Sequence, residues 1–300
     1  MSYSKLLHLL LSERWSIHAA DEYKDNIVRL LSGGSFFELE KEREPLQRMA
    51  LNSSTGELVT PFDAESYDDV PRGSIALIQI NHVMTKFGNW CMWGTEDYAR
   101  MLDEAAEHPN IVGALIGYHS PGGATSSVIP LKNSIIKART KIPIVSIVDS
   151  NMHSCAYYTG SYGDKIIAID PMAELGSIGV MAMLHNDKER MKAEGIKVIE
   201  IYPPESSFKN KPVREALEGK EQLLIEEELS PLAKHFQDIV KQNRGSKLDL
   251  SVEGLLEGKT FFAQDALGYG LIDSIGTMET ALEEVLTLSR NHQMKNIINY

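Results

Sequence analysis

From Arg72 onward the chain alternates short apolar runs, rich in β-branched residues, with amphipathic segments of helical spacing. This alternation is what most limits the fold. The spacing predicts strands over Ser74–Ile80, Ile111–Tyr118, Pro143–Val148, Lys165–Ile169 and Val198–Tyr202. It predicts helices over Thr95–Glu107, Ser126–Arg139, Ser154–Gly163 and Asp187–Glu194, with Thr95 as a fair N-cap. Most of the strands are apolar at successive positions, as strands covered on both faces are. The result is an α/β layered domain with a largely parallel core sheet. Glu215–Gln242 is a long amphipathic stretch with a break at Ser230–Pro231, and Glu279–Ser289 is a closing helix.

The first seventy residues differ. Ser4–Leu11 and Tyr23–Leu31 have helical spacing, a charge-rich run follows over Glu38–Arg48, and Asn52–Pro71 is rich in Ser, Thr, Asp and Pro. An N-terminal helical arm joined by an extended linker is expected.

With 43% hydrophobic and 24% charged residues in 300, the chain is neither disordered, collagen-like nor a disulfide scaffold. Its 30 basic and 42 acidic residues leave a net charge of −12, which argues against nucleic acid as a partner and against docking on anionic lipid. Cys91 and Cys155 form no CxxC pair and suit a reducing compartment. The apolar run Leu6–Leu11 is too short to span a bilayer and has no cleavage site behind it, so neither a membrane anchor nor a signal peptide is expected. A cytoplasmic protein is the expectation.

Phosphate loops, HExxH, GxGxxG after the first strand and GxSxG are all absent, and the nine His show no metal-ligand spacing. Three segments can carry chemistry. Ser120-Pro121-Gly122-Gly123 follows a strand, and its glycines let backbone N–H groups face a ligand, as in an oxyanion hole; a plain tight turn fits it equally well. Ser154 follows a strand and opens a helix; it suits a nucleophile, although an N-cap is the commoner fate of such a serine. Ser206–Pro212 is a polar loop with two lysines. Lysines there are usually solvated, and one acts as a base only if burial or a cationic neighbour lowers its pKa. Phe208 is placed to shield Lys209, whereas Lys211 precedes Pro212 and looks the more exposed.

The order and spacing of these segments resemble the Ser–Lys peptidase family of signal peptide peptidase A, most closely its bacteriophage prohead (capsid maturation) protease branch. The resemblance rests on five ordered motifs between about Arg72 and Val285: Ser120–Gly123, Ser154–Ile166, Gly176-Ser177-Ile178-Gly179-Val180, Phe208-Lys209, and Ala266-Leu267 leading to Gly270-Leu271-Ile272-Asp273. It implies a Clp-protease/crotonase-like spiral of β-β-α units, with residues 1–71 as arm and linker, 72–290 as the peptidase domain and 291–300 as a tail. It also implies Ser154 as nucleophile, Lys209 as general base and Ser177 as the residue orienting the lysine. The backbone N–H groups of Gly122 or Gly123 and of Cys155 would form the oxyanion hole, with no metal and no cofactor. Cys155 stands where the family usually has glycine or alanine. Asn210-Lys211-Pro212 replaces a Gly-Asn-Pro-like turn, which makes Lys211 the second choice for the base.

A serine endopeptidase cleaving scaffold or capsid proteins, assembled as a homo-oligomeric ring in the host cytoplasm or prohead interior, is the implied function. Three alternatives stand beside it: a soluble enzyme degrading signal-peptide remnants, a crotonase-type acyl-CoA enzyme, and an inactive assembly scaffold. The apolar run Asn89–Trp93 is expected to line a groove or subunit contact, or to form a satellite of the core.

Overall fold

Successive residues of the central strands go to opposite faces of one sheet, and both faces are buried. In the computed structural model, which describes residues 15–17, 46–61, 66–88 and 92–298, the strands are β1 (Trp15–Ile17), β2 (Met49–Leu51), β3 (Leu58–Val59), β4 (Ser74–Ile80), β5 (Ile111–Ser120), β6 (Gly122–Ala124), β7 (Ile144–His153), β8 (Lys165–Ala168), β9 (Glu174–Gly176), β10 (Thr260–Phe262) and β11 (Ser274–Ile275). The main helices are α1 (Thr95–Glu107), α2 (Val128–Ala138), α3 (Cys155–Gly160), α4 (Lys188–Ala193), α5 (Lys211–Ala216), α6 (Ser230–Arg244), α7 (Ala263–Gly268) and α8 (Met278–Ile298).

The large sheet runs β10-β9-β7-β5-β4-β2-β3, with β8 beside β7 and β11 beside β8. The pairs β4–β5, β5–β7, β7–β8, β7–β9 and β8–β11 are parallel. Ala76, Ile78, Ile80, Ile116, Tyr118 and Val148 pack in a core with residues of α1, α2 and α3. Their neighbours Ile75, Leu77, Leu115, Val145 and Ile147 pack against Ala281, Leu282 and Val285 of α8. This two-sided burial is why the strands read as continuous apolar runs.

β7 forks the sheet. Its first half pairs with β8 through Val145–Val148, and its last three residues pair with β9. Its end therefore emerges between Ser120 of β5, which sits opposite Met152, and Gly176 of β9, which sits opposite His153. β5, β6 and α2 form one strand–strand–helix unit, with β6 turned off the large sheet.

Several expectations differ from the structure. Val198–Tyr202 forms no strand; among the described residues it pairs with no other strand, and Ile199 is 66% and Ile201 87% exposed. The N-cap of α1 is Gly94, one residue before Thr95; the Asp97 carboxylate accepts the Gly94 N–H at 3.0 Å, while the Thr95 hydroxyl donates to the Thr85 carbonyl. At Ser230–Pro231 the helix does not break. A π turn over Ile225–Leu229 leads straight into α6, and Pro231 sits in the first turn, where its missing N–H matters least. Within the segment expected as arm and linker, β2 and β3 extend the sheet beside β4. The expected helices at Ser4–Leu11 and Tyr23–Leu31 lie outside the described residues, as do Asn89, Trp90 and Cys91. Trp93 packs against the core. Among the described residues no helix is long and apolar enough to cross a membrane.

The C-terminal half is locked to the sheet by one buried ion cluster. Arg244 at the end of α6 donates to Asp273 at 2.9 and 3.3 Å and to the Gly270 carbonyl at 2.9 Å. Lys247 reaches Asp273 at 2.6 Å, and the Ile166 N–H donates to the same carboxylate at 2.8 Å. Burial pushes the Asp273 pKa up, but the Arg244 and Lys247 hydrogen bonds, with the Arg244 charge and the Ile166 N–H, outweigh it and hold the carboxyl at about 2. A lowered folded-state pKa means that the unfolded chain takes up the proton first. This group's contribution is therefore complete above the ordinary carboxylate value of 3.8 and is lost as pH falls from there towards about 2. Asp273→Asn is expected to lower unfolding free energy at pH 7 by roughly 3–5 kcal/mol and to flatten the acid limb of the stability curve. Urea titrations at pH 7 and at low pH check both.

Candidate active site

Among the described residues, three non-glycine positions have positive φ: Ser154 at 54°, Ser177 at 52° and Asn210 at 56°. Two of them are site residues expected from the sequence, and the third follows Lys209. Such conformations cost on the order of 1–3 kcal/mol each and persist only where the surroundings over-determine them.

At Ser154 the surroundings do so. β7 ends at His153 and α3 begins at Cys155, so Ser154 alone turns the chain, with φ 54° and ψ −117°. Its N–H donates to the Gly176 carbonyl at 2.8 Å, and its carbonyl accepts from the Tyr158 N–H at 2.8 Å. Its hydroxyl reaches the Gly179 carbonyl at 3.4 Å. Every residue of α3 is buried, and Tyr157 donates its hydroxyl to the Leu271 carbonyl at 2.8 Å, which fixes the helix to the C-terminal lock.

The glycine segment lies against this turn. The Ser120 hydroxyl donates to the His82 carbonyl at 2.7 Å and accepts the Gly122 N–H at 3.3 Å. Met84 then clamps β6 from one side: its N–H donates to the Gly122 carbonyl at 2.8 Å, and its carbonyl accepts from Ala124 at 2.9 Å. The approach is so close that a Cβ on Gly123 would lie 1.9 Å from the Met84 carbonyl oxygen. The Cys155 thiol points at the Gly123 and Ala124 carbonyls, at 3.4 and 3.6 Å. Cys155 is thus buried packing that joins the Ser154 turn to β6, which gives this departure from the family pattern a structural role.

Ser177 follows the carbonyl that holds Ser154. Its own N–H donates to the Lys259 carbonyl at 2.9 Å, and it is half-buried. The structure therefore brings Ser154, Cys155, Gly122, Gly123 and the Gly176–Gly179 segment together. It does not bring in the lysines. Lys209 is exposed on a turn, and among the described residues no hydrogen bond joins it or Lys211 to Ser154. The expected shielding is reversed: the Phe208 ring carries the Lys211 amine 4.4 Å from its centroid, and that amine also lies 3.7 Å from Glu215. Lys211 is half-buried and ion-paired, whereas Lys209 is the solvated one.

Met84 escaped the sequence reading. Its part in the clamp is its backbone N–H and carbonyl, which every residue type but proline supplies, so no side-chain signal pointed to it.

Residues 136–291 match the model of peptidase family S49. A protein of Methanocaldococcus jannaschii described as a protease is 27% identical over 203 residues, 68% of this chain and 64% of that relative. Capsid assembly protease C of Escherichia phage lambda is 22% identical over 186 residues, 61% of this chain and 41% of the relative. This chain covers less than two thirds of the length of either. Among solved structures, a membrane-bound stomatin-specific protease aligns over 69% of this chain and 81% of its own, at 14% identity and a TM-score of 0.45.

Replacing Ser154 with glycine removes the φ penalty but also the hydroxyl. Ser154→Gly is expected to be more stable than Ser154→Ala by about 1 kcal/mol in denaturant titrations, since only glycine adopts this conformation freely. Gly123→Ala is expected to disrupt the Met84 clamp, at about 1 kcal/mol for each of its two backbone hydrogen bonds.

Proposed function

The chain belongs to peptidase family S49, and on that premise we propose that it is a serine endopeptidase with a Ser154–Lys209 dyad. The observation that carries this reading is the strained turn at Ser154, pressed against the glycine strand by Cys155.

In this mechanism the Ser154 hydroxyl attacks the substrate carbonyl carbon while the Lys209 amine takes its proton. N–H groups of Gly122 or Gly123 and of Cys155 stabilise the tetrahedral oxyanion. Lys209 returns the proton to the leaving amine, and water then hydrolyses the acyl-enzyme by the same route. Ser177 orients the lysine. The exposed position of Lys209 requires that its segment close over Ser154 when the enzyme is assembled or loaded. Closure would take the amine out of bulk water and bring it to the serine hydroxyl. Lys211 is the weaker candidate, because its amine is already engaged by the Phe208 ring and by Glu215.

The reading extends to a phage or prophage head-maturation protease acting on scaffold or capsid proteins, supported by the similarity to the lambda protease. A homo-oligomeric ring belongs to the same reading. Exposed Ile196, Val198, Ile199 and Ile201 are the kind of surface that assembly covers.

Co-expression with the neighbouring capsid and scaffold genes, read by intact mass, tests this. Defined products are expected with the wild type and none with Ser154→Ala or Lys209→Ala, while Lys211→Ala retains cleavage. Products that persist in Ser154→Ala would remove it from the mechanism.

A further inference from the structure

The glycine strand has two edges. Met84 holds one. Along the other lies β1, the segment Trp15–Ile17 of the arm, in an antiparallel ladder with Trp15 opposite Ala124, Ser16 opposite Gly123 and Ile17 opposite Gly122. These two strands form a sheet of their own, apart from the large one. The Met84 bonds use the Gly122 carbonyl and the Ala124 N–H. In an extended strand the polar groups of successive residues point to alternate edges. Gly123 therefore turns its N–H and carbonyl towards Ser16.

Gly123 is also the residue whose carbonyl meets the Cys155 thiol, one position after the nucleophile. An extended peptide laid on this edge would run past Ser154 and be held by main-chain hydrogen bonds, largely irrespective of its sequence. The arm occupies that position. A ladder of three residues between two strands is marginal by itself, so it is an exchangeable occupant and not a permanent part of the sheet.

We propose that Trp15–Ile17 is a substrate-like strand that blocks the peptide edge of β6 in cis, so that substrate must displace it. This inference rests on the peptidase reading, because it takes the β6 edge to be where substrate lies.

Ser16→Pro tests it, since proline supplies no N–H for the pair with Gly123. The probe is a fluorescein-labelled peptide of residues 11–21 of this chain, titrated by anisotropy into the full-length protein. Turnover is stopped with Ser154→Ala, and that variant is compared with Ser154→Ala/Ser16→Pro. If the arm fills the edge about nine-tenths of the time, releasing it should tighten probe binding about ten-fold. Hydrogen exchange at the Gly123 amide should quicken in the same double variant. Equal affinity in the two proteins, no binding to either, or unchanged Gly123 exchange would overturn the proposal. Neither readout needs turnover. A protein that binds the probe as expected but never cleaves, with Ser154 restored, would sink the peptidase reading and leave the arm's place on β6 standing.

Discussion

The hydrogen bond from the Ser154 N–H to the Gly176 carbonyl is the contact on which the site depends. A serine at φ 54° would relax into an ordinary conformation if its backbone were free to do so. It is not free. β7 delivers it from one side, the Tyr158 N–H holds its carbonyl from the other, and α3 cannot shift without breaking the Tyr157 bond to Leu271. The strain at one residue is borne by the sheet, by α3 and by the Arg244–Asp273 lock behind them.

The fork in β7 explains why these parts meet. A strand that pairs with β8 early and with β9 late must leave a gap where its second partner changes. That change falls between Val148 and Asn151, and Ser154 follows the last β9 pair, with the glycine segment on the β5 side and Gly176-Ser177 on the β9 side. The motifs are far apart in the chain because they are the ends of different strands, and the sheet order collects them.

Much of this was legible in the sequence. The spans of β4 and α1 agree with the expected ones residue for residue, because two-sided burial leaves apolar runs with sharp ends. Ser154 and Ser177 stood out through motif order. What was not legible is whatever the backbone alone supplies. β6, β9 and β10 are three residues each and are held by main-chain hydrogen bonds, so their composition carries little signal. Val198–Tyr202 has the composition of a strand, but among the described residues no strand pairs with it. In the lysine loop, proximity to Phe208 in sequence did not decide which lysine the ring would take: the turn closed by the Lys211 N–H on the Phe208 carbonyl, just before α5, brings Lys211 back over it.

The strained serine is the proposed nucleophile. Incubation of the full-length protein with a fluorophosphonate, followed by peptide mass mapping, addresses it directly. A phosphonyl adduct is expected on Ser154 and is expected to disappear in Lys209→Ala, with Ser150, Ser177 and Cys155 unmodified. An adduct on one of those residues with Ser154 untouched, or no adduct on folded protein, would contradict it.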